Sequence, residues 1–256
     1  MPYSNPLIAR WRVGPAFGFW CSTSSAALAE YTVDSGIDWI AWDQQHGLVS
    51  DTDLAGLMRV VRGTNVAPVI RVGKNDPLLI GRALDAGAAG VIVPLVNPAD
   101  EAAQAVTACR YPPNGNRSFG PNRTALVMES YEPRVIENVA CIVMVETAEG
   151  LSNVEAIAAT KGVDAILIGP SDLALGLGLA YDDRTEPHQR AVRRILDACL
   201  ANGIAAGIVL GDGTTARAHV ELGFRFISVA TDLGLIIDGV ARELGAANAS
   251  PIAAPA

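Results

Sequence analysis

Two carboxylates, Glu146 and Asp172, stand at the ends of two apolar runs, CIVMVET (141–147) and GVDAILIGPSDLALG (162–176). Such runs suit strands buried on both faces, and the residue leaving such a strand stands where parallel α/β folds place their chemistry. Two acids brought together there repel each other unless a proton or a cation lies between them. The pair reads as a divalent metal site of hard oxygen donors, completed by water and substrate. That donor set suits Mg²⁺ or Mn²⁺, with Co²⁺ and Zn²⁺ as further candidates.

Other residues add to this pair. Asp43-Gln44-Gln45-His46-Gly47 closes another apolar run, and His46 is one of three histidines, the others being His188 and His219 in helical patterns. Asp43, three residues earlier on a tight turn, is expected to hold the imidazole in one tautomer and raise its basicity, as a general base requires. A purely structural histidine is the plainer alternative. Arg71 interrupts PVIRVG (68–73). A guanidinium there needs an anion, either a carboxylate such as Asp43 or Glu146 or the developing oxyanion of a substrate. Gly169-Pro170-Ser171-Asp172 leads out of a strand, and Ser171 or Asp172 is expected to cap the short helix that follows. Free amides at such a turn bind a carboxylate or phosphate. Leu210, at the end of a further apolar run, is expected to help shape a substrate pocket. Asp85, near the end of a helical pattern in RALDAGAAG (82–90), reads as a surface or packing acid.

Eight runs have strand character: 16–21, 38–43, 67–72, 90–95, 141–146, 164–169, 204–210 and 224–230. Amphipathic patterns such as DPLLIGRALDAG (76–87) and EPHQRAVRRILDACLANG (186–203) fill most of the gaps, and Gly36, Gly87, Gly203 and Gly223 mark helix ends. Eight βα units in 256 residues predict an α/β fold, a single-domain (β/α)₈ TIM barrel over residues 1–246. An open doubly wound sheet lacks its glycine-rich first turn here. The patternless tail, 247–256, is expected to be disordered. One connection, RYPPNGNRSFGPNRTALVMESY (110–131), is too long for an ordinary turn. It is either a surface excursion or a loop over an active site, its own or a neighbour's.

Composition narrows the function further. Half of the chain is hydrophobic, only 18% is charged, and the net charge of −8 is spread along its length. No basic stripe invites nucleic acid, and no apolar run reaches the roughly 18 residues of a membrane span. The N-terminus, MPYSNPLIARWR, lacks the signature of a signal peptide, and the four scattered cysteines form no CxxC pair. These features point to a cytoplasmic protein with reduced, buried thiols.

Taken in order, D-x-x-H-G (43–47), V-x-R-V (69–72) with N-D-P (75–77), L-D-A-G (84–87), V-P-L-V (93–96), R-Y-P-P (110–113), V-E-T-x-E (145–149) and I-G-P-S-D-L (168–173) resemble the HpcH/HpaI family. These are class II, metal-dependent aldolases such as 4-hydroxy-2-oxoheptanedioate aldolase, and the resemblance runs from about residue 15 to 240. It implies that Glu146 and Asp172 ligate the metal and that His46 acts through water as the base, oriented by Asp43. It further implies that Arg71 stabilises the enolate and alkoxide, that Asp85 tunes the histidine, and that the amides of Ser171 and Asp172 hold a ketoacid carboxylate. The implied substrates are a 2-oxoacid, pyruvate or hydroxypyruvate, and an aldehyde. The implied assembly is a homo-oligomer, typically a hexamer. Two departures bear on the substrate: Met144 stands where relatives often carry glutamine, and Gln45 where several carry glutamate.

Three other functions have their own requirements. A Schiff-base aldolase needs a desolvated lysine, and only Lys74 and Lys161 exist. An acyl-CoA lyase of the same superfamily would turn over only CoA thioesters. A barrel that binds ketoacid and metal without turnover, or a purely structural oligomer, has no need of the full set His46, Arg71, Glu146 and Asp172, and its presence argues against both.

Overall fold

The computed structural model describes residues 5–127, 131–132 and 138–248. Eight strands, β1 (Ala16–Cys21), β2 (Trp39–Asp43), β3 (Ala67–Arg71), β4 (Gly90–Val93), β5 (Ala140–Met144), β6 (Ala165–Ile168), β7 (Ala205–Val209) and β8 (Phe226–Thr231), follow one another around a closed barrel. Every neighbouring pair is parallel, and β1 closes on β8 with a register shift between Gly18 and Phe19. The chain therefore forms the single-domain (β/α)₈ barrel that its alternating pattern predicts.

Helices α2 (Ala26–Val33), α3 (Asp51–Val60), α4 (Pro77–Ala86) and α5 (Ala99–Cys109) return the chain over the first half of the barrel. A short α6 (Thr124–Val127) follows, then α7 (Ala148–Ser152), α8 (Val154–Ala158), α9 (Pro170–Gly176), α10 (Glu186–Asn202), α11 (Gly213–Leu222) and α12 (Asp232–Ala247). Local chemistry sets their ends. Asp76 accepts the amides of Leu78 and Leu79 at the start of α4, and Pro77 occupies the first turn, where its missing N–H is not needed. Gly87, Gly203 and Gly223 stop α4, α10 and α11 in the left-handed conformation, as expected from the sequence.

Alternation along each strand sorts side chains into two cores. Ile40, Ile70, Val91, Val143, Ile166 and Ile208 point outward into the layer beneath the helices. Their neighbours Trp39, Val69, Ile92, Ile142, Leu167 and Phe226 fill the barrel interior. The interior is packed to contact: a Cβ at Gly18 would lie 1.9 Å from the Trp39 ring. Trp39 is fully buried, its indole N–H donates to the Ala16 carbonyl at 3.1 Å, and its ring lies 4.2 Å from that of Phe226. Emptying this floor by Trp39→Ala would cost about 3–5 kcal/mol. A further helix, α1 (Pro6–Val13), plugs the barrel from below, with Trp11 edge-on to Phe226 at 5.3 Å.

The long connection packs away from the carboxyl ends of the strands. Arg123 donates to the Ala86 carbonyl at 2.8 Å, and Thr124 donates to the carbonyls of Leu84 and Asp85, each at 3.0 Å. Those groups close α4, which runs antiparallel to the strands and ends beside the amino end of β4. The described part of the connection thus lies at the bottom of the barrel and does not reach its own catalytic end. At the other terminus α12 runs through Ala247, one residue past the expected boundary, and residues 249–256 of the expected tail lie outside the described residues. Leu233, Ile236, Ile237, Val240 and Leu244 of α12 are exposed. Among the described residues no helix is long and apolar enough to cross a membrane.

Candidate active site

Strand alternation aims the polar side chains as well as the core. Asp43 shares the inward face of Ala41 and Trp39, Arg71 that of Val69, and Glu146 that of Met144 and Ile142, two residues beyond the last residue of β5. Asp43 and Arg71 are direct partners in the β2–β3 register. Arg71 Nε donates to Asp43 Oδ1 at 2.8 Å, and Nη2 donates to Oδ2 in a second, parallel bond. The guanidinium lies over the Trp20 ring at 4.9 Å, so one edge and one face are fixed. Burial pushes the Asp43 carboxyl up, but the bonds and charge of Arg71 and two backbone amides outweigh it and hold the group below its ordinary value.

Those two amides belong to Gln45, at 2.9 Å, and His46, at 3.2 Å. Asp43 therefore grips the turn through its backbone and does not hold the imidazole, as the sequence led us to expect. Its carboxylate is already committed to Arg71, and His46 is exposed at the rim, three residues past the end of β2. No side chain among the described residues hydrogen-bonds that ring. Asp85 cannot orient it within one chain either. It lies at the bottom of the barrel, paired at 2.6 Å with the buried Arg117, which stacks on Tyr111 at 4.6 Å.

Glu146 is buried, 2% exposed. One carboxylate oxygen, Oε1, accepts the Leu95 amide at 3.0 Å, while Oε2 is buried without a hydrogen-bond partner. Burial raises its pKa to about 7; the charge of Asp172 pushes the same way, opposed by the Leu95 amide and by Arg71. Asp172 stands in the first turn of α9. The space between the two acids is open only because residue 169 is glycine. A Cβ there would lie 2.5 Å from Glu146 Oε2 and 3.6 Å from Asp172 Oδ2. An orphaned buried oxygen, a second carboxylate and a gap kept free by glycine suit a hard divalent cation. Among the described residues no set of three or more His, Cys, Asp or Glu side chains forms a closed cage, so water and substrate would complete the shell.

Helix α9 departs from expectation in one respect. Its cap is Gly169, with Pro170 at the first position, so Ser171 and Asp172 lie inside the first turn and neither caps it. Pro170 suits that position because it carries no N–H. The buried His188, within α10, meets the Pro170 carbonyl through Nε2 at 3.0 Å and braces the turn. Leu210 is also displaced from its expected role. It shares parity with Ile208 and packs in the outer layer, among the side chains lining a cavity of about 1400 Å³ beside α10 and α11. Both lysines are exposed: Lys74 pairs with Asp76 at 3.4 Å, and Lys161 lies between α8 and the amino end of β6. Neither is the desolvated amine a Schiff base requires.

The sequence profile of the HpcH/HpaI aldolase/citrate lyase family matches residues 16–239, the whole barrel. This chain belongs to that family. A hydroxypyruvate/pyruvate aldolase of Paraburkholderia phytofirmans is 38% identical over 241 residues, 90% of this chain and 93% of its own. A 5-keto-4-deoxy-D-glucarate aldolase of Klebsiella pneumoniae is 35% identical over 221 residues, covering 85% of this chain and 86% of its own. The crystal structure of an HpcH/HpaI aldolase/citrate lyase family protein from Burkholderia cenocepacia superposes with a TM-score of 0.90 at 36% identity, over 96% of this chain and all of that one. In this HpcH/HpaI barrel Glu146, Asp172, Asp43 and Arg71 are brought to one end, with His46 on the rim. The Leu95 amide, the Trp20 platform and the His188 brace carried no signal of their own in the sequence. Gly169 did, since a Gly-Pro step leaving a strand marks a close approach.

Proposed function

We propose that this protein is a divalent-metal-dependent class II aldolase. It forms the enolate of pyruvate or hydroxypyruvate and adds it reversibly to an aldehyde, cleaving 4-hydroxy-2-oxoacids in the reverse direction. The observation that carries this reading is the convergence of the orphaned Glu146 Oε2 and Asp172 on the space that Gly169 leaves open. The aldolase names of the relatives support the reaction class.

Glu146 and Asp172 would hold Mg²⁺ or Mn²⁺. Bound there, the cation supplies Lewis-acid polarisation of the 2-oxoacid carbonyl, which acidifies the adjacent carbon. The amides of Ser171 and Asp172, early in α9 and without partners inside the helix, receive the substrate carboxylate. Arg71 has Nε and Nη2 committed to Asp43, leaving Nη1 for the oxygen that gains charge as enolate and then alkoxide form. His46 removes and returns the proton through water at the rim, on a turn shaped by Asp43.

The assembly we propose is a homo-oligomer, with a hexamer as the expected form, and the exposed apolar row of α12 supports self-association. Asp85 and the connection beside it, being at the bottom of their own barrel, serve a neighbour's site if they serve one at all. Four free, buried cysteines fit a cytoplasmic setting.

The test is proton exchange at the pyruvate methyl group in D₂O, followed by NMR on protein freed of metal with EDTA and then supplied with Mg²⁺ or Mn²⁺. Deuteration that requires the metal is expected. Absence of exchange in both pyruvate and hydroxypyruvate with every metal would overturn the proposal.

A further inference from the structure

Among the described residues Leu95 is the sole non-glycine with a positive φ, 55°. A leucine rarely adopts that left-handed conformation, and such outliers persist where the surroundings over-determine them. Core packing does not demand this one, because the side chain is 48% exposed. The backbone does. Residues 95–97 are stapled to the segment that carries Glu146: the Val96 amide donates to the Met144 carbonyl at 3.1 Å, and the Thr147 hydroxyl donates to Asn97 Oδ1. Asn97 Nδ2 donates to the Leu95 carbonyl at 3.2 Å, and Asn153 Nδ2 to the Asn97 carbonyl at 3.2 Å. Between these staples the Leu95 N–H points at Glu146 Oε1, 3.0 Å away.

We infer that Leu95 is a positioning residue whose left-handed backbone aims one amide at Glu146 Oε1, setting the rotation of the carboxylate so that Oε2 faces the cradle over Gly169. The inference rests on the metal site proposed above and goes beyond it by naming what orients the ligand. The terminal torsion of a glutamate is broad, so a carboxylate without such a donor would swing and offer neither oxygen reliably. With Oε1 held, one oxygen is presented and the entropy of ordering it is spent in folding, before a cation arrives.

Substitutions at Leu95 separate backbone from side chain. Glycine and asparagine accept positive φ, whereas valine and isoleucine resist it. Affinity for Mn²⁺ alone, followed by the free-ion EPR signal, is expected to stay within about threefold of wild type in Leu95→Gly and Leu95→Asn and to weaken at least tenfold in Leu95→Val and Leu95→Ile. Equal affinity in all four variants would overturn the inference, as would the reverse order, in which side-chain bulk matters. A second measurement needs no metal: hydrogen exchange at the Leu95 amide should be slow in the metal-free protein and faster in Glu146→Ala. Equal exchange in both overturns the clamp. Wild-type protein that binds no Mn²⁺ would sink the metal site itself, and the exchange contrast would still decide whether Glu146 holds the Leu95 amide.

Discussion

Removing the charge of Glu146 while keeping its shape, by Glu146→Gln, should stabilise the metal-free protein at pH 8 and barely change it at pH 5. In the fold, burial and the neighbouring Asp172 lift Glu146 from its ordinary value of 4.5 to about 7. Between those two values the folded protein holds a proton that the unfolded chain has released. Stability from this group is therefore fully present below pH 4.5 and is lost as pH rises through 7. At about 1.4 kcal/mol per tenfold change in proton affinity, the loss is roughly 3 kcal/mol. Glutamine never acquires the charge, and its carbonyl can still accept the Leu95 amide. For a chain of this size the variant should melt about 6–10 °C above wild type at pH 8 in EDTA, and within about 2 °C of it at pH 5. Added Mn²⁺ should narrow the gap at pH 8, because wild type regains stability by binding an ion that the variant binds poorly. Thermal melts of both proteins at the two pH values, with and without metal, provide the comparison. A difference in Tm that does not change with pH would refute the claim that burial and Asp172 raise this group.

Gly169→Ala should abolish tight Mn²⁺ binding, weakening it at least 100-fold with the circular dichroism spectrum unchanged, since its φ of −90° accepts a side chain, the Cβ fills the cradle, and the one other close neighbour, Met144 Cε at 3.2 Å, is the end of a flexible side chain. Calorimetric titration with Mn²⁺ checks this, and wild-type affinity would show that the cation sits elsewhere. Arg71→Ala should lower kcat/KM at least 100-fold and cost about 3–5 kcal/mol of stability by leaving the buried Asp43 unpaired. Urea melts should recover part of that stability in the double variant with Asp43→Ala, without recovery of activity; a loss of less than tenfold in the single variant would make Arg71 purely structural. If Asp85 serves a neighbour's site, mixing inactive His46→Ala and Asp85→Ala proteins under subunit exchange should restore measurable turnover. A mixture as inactive as its parents would confine Asp85 to its pairing with Arg117.

Much of this barrel was written locally. Period-two alternation placed Asp43, Arg71 and Glu146 on inward faces beside Trp39, Val69 and Met144, and Gly87, Gly203 and Gly223 stopped their helices where the pattern said. The same alternation sends Leu210 outward with Ile208, into the layer beneath the helices. The position of Asp85 at the end of α4 likewise puts it at the far end of its own barrel.

Other features depend on partners distant in the chain. That Asp43 spends its carboxylate on Arg71 and the turn amides, leaving the His46 ring alone, follows from the β2–β3 register and the turn's path. That Leu95 adopts a positive φ follows from staples to residues about 50 positions later. The eight-fold alternation and the inward facing of Asp43, Arg71 and Glu146 were legible in the chain, because they need only side-chain chemistry and strand period. Which oxygen of Glu146 is held and which is left bare depends instead on contacts between distant segments. That choice is made by a backbone amide, a group every residue but proline carries, and only the pairing of β4 with β5 brings this one within reach.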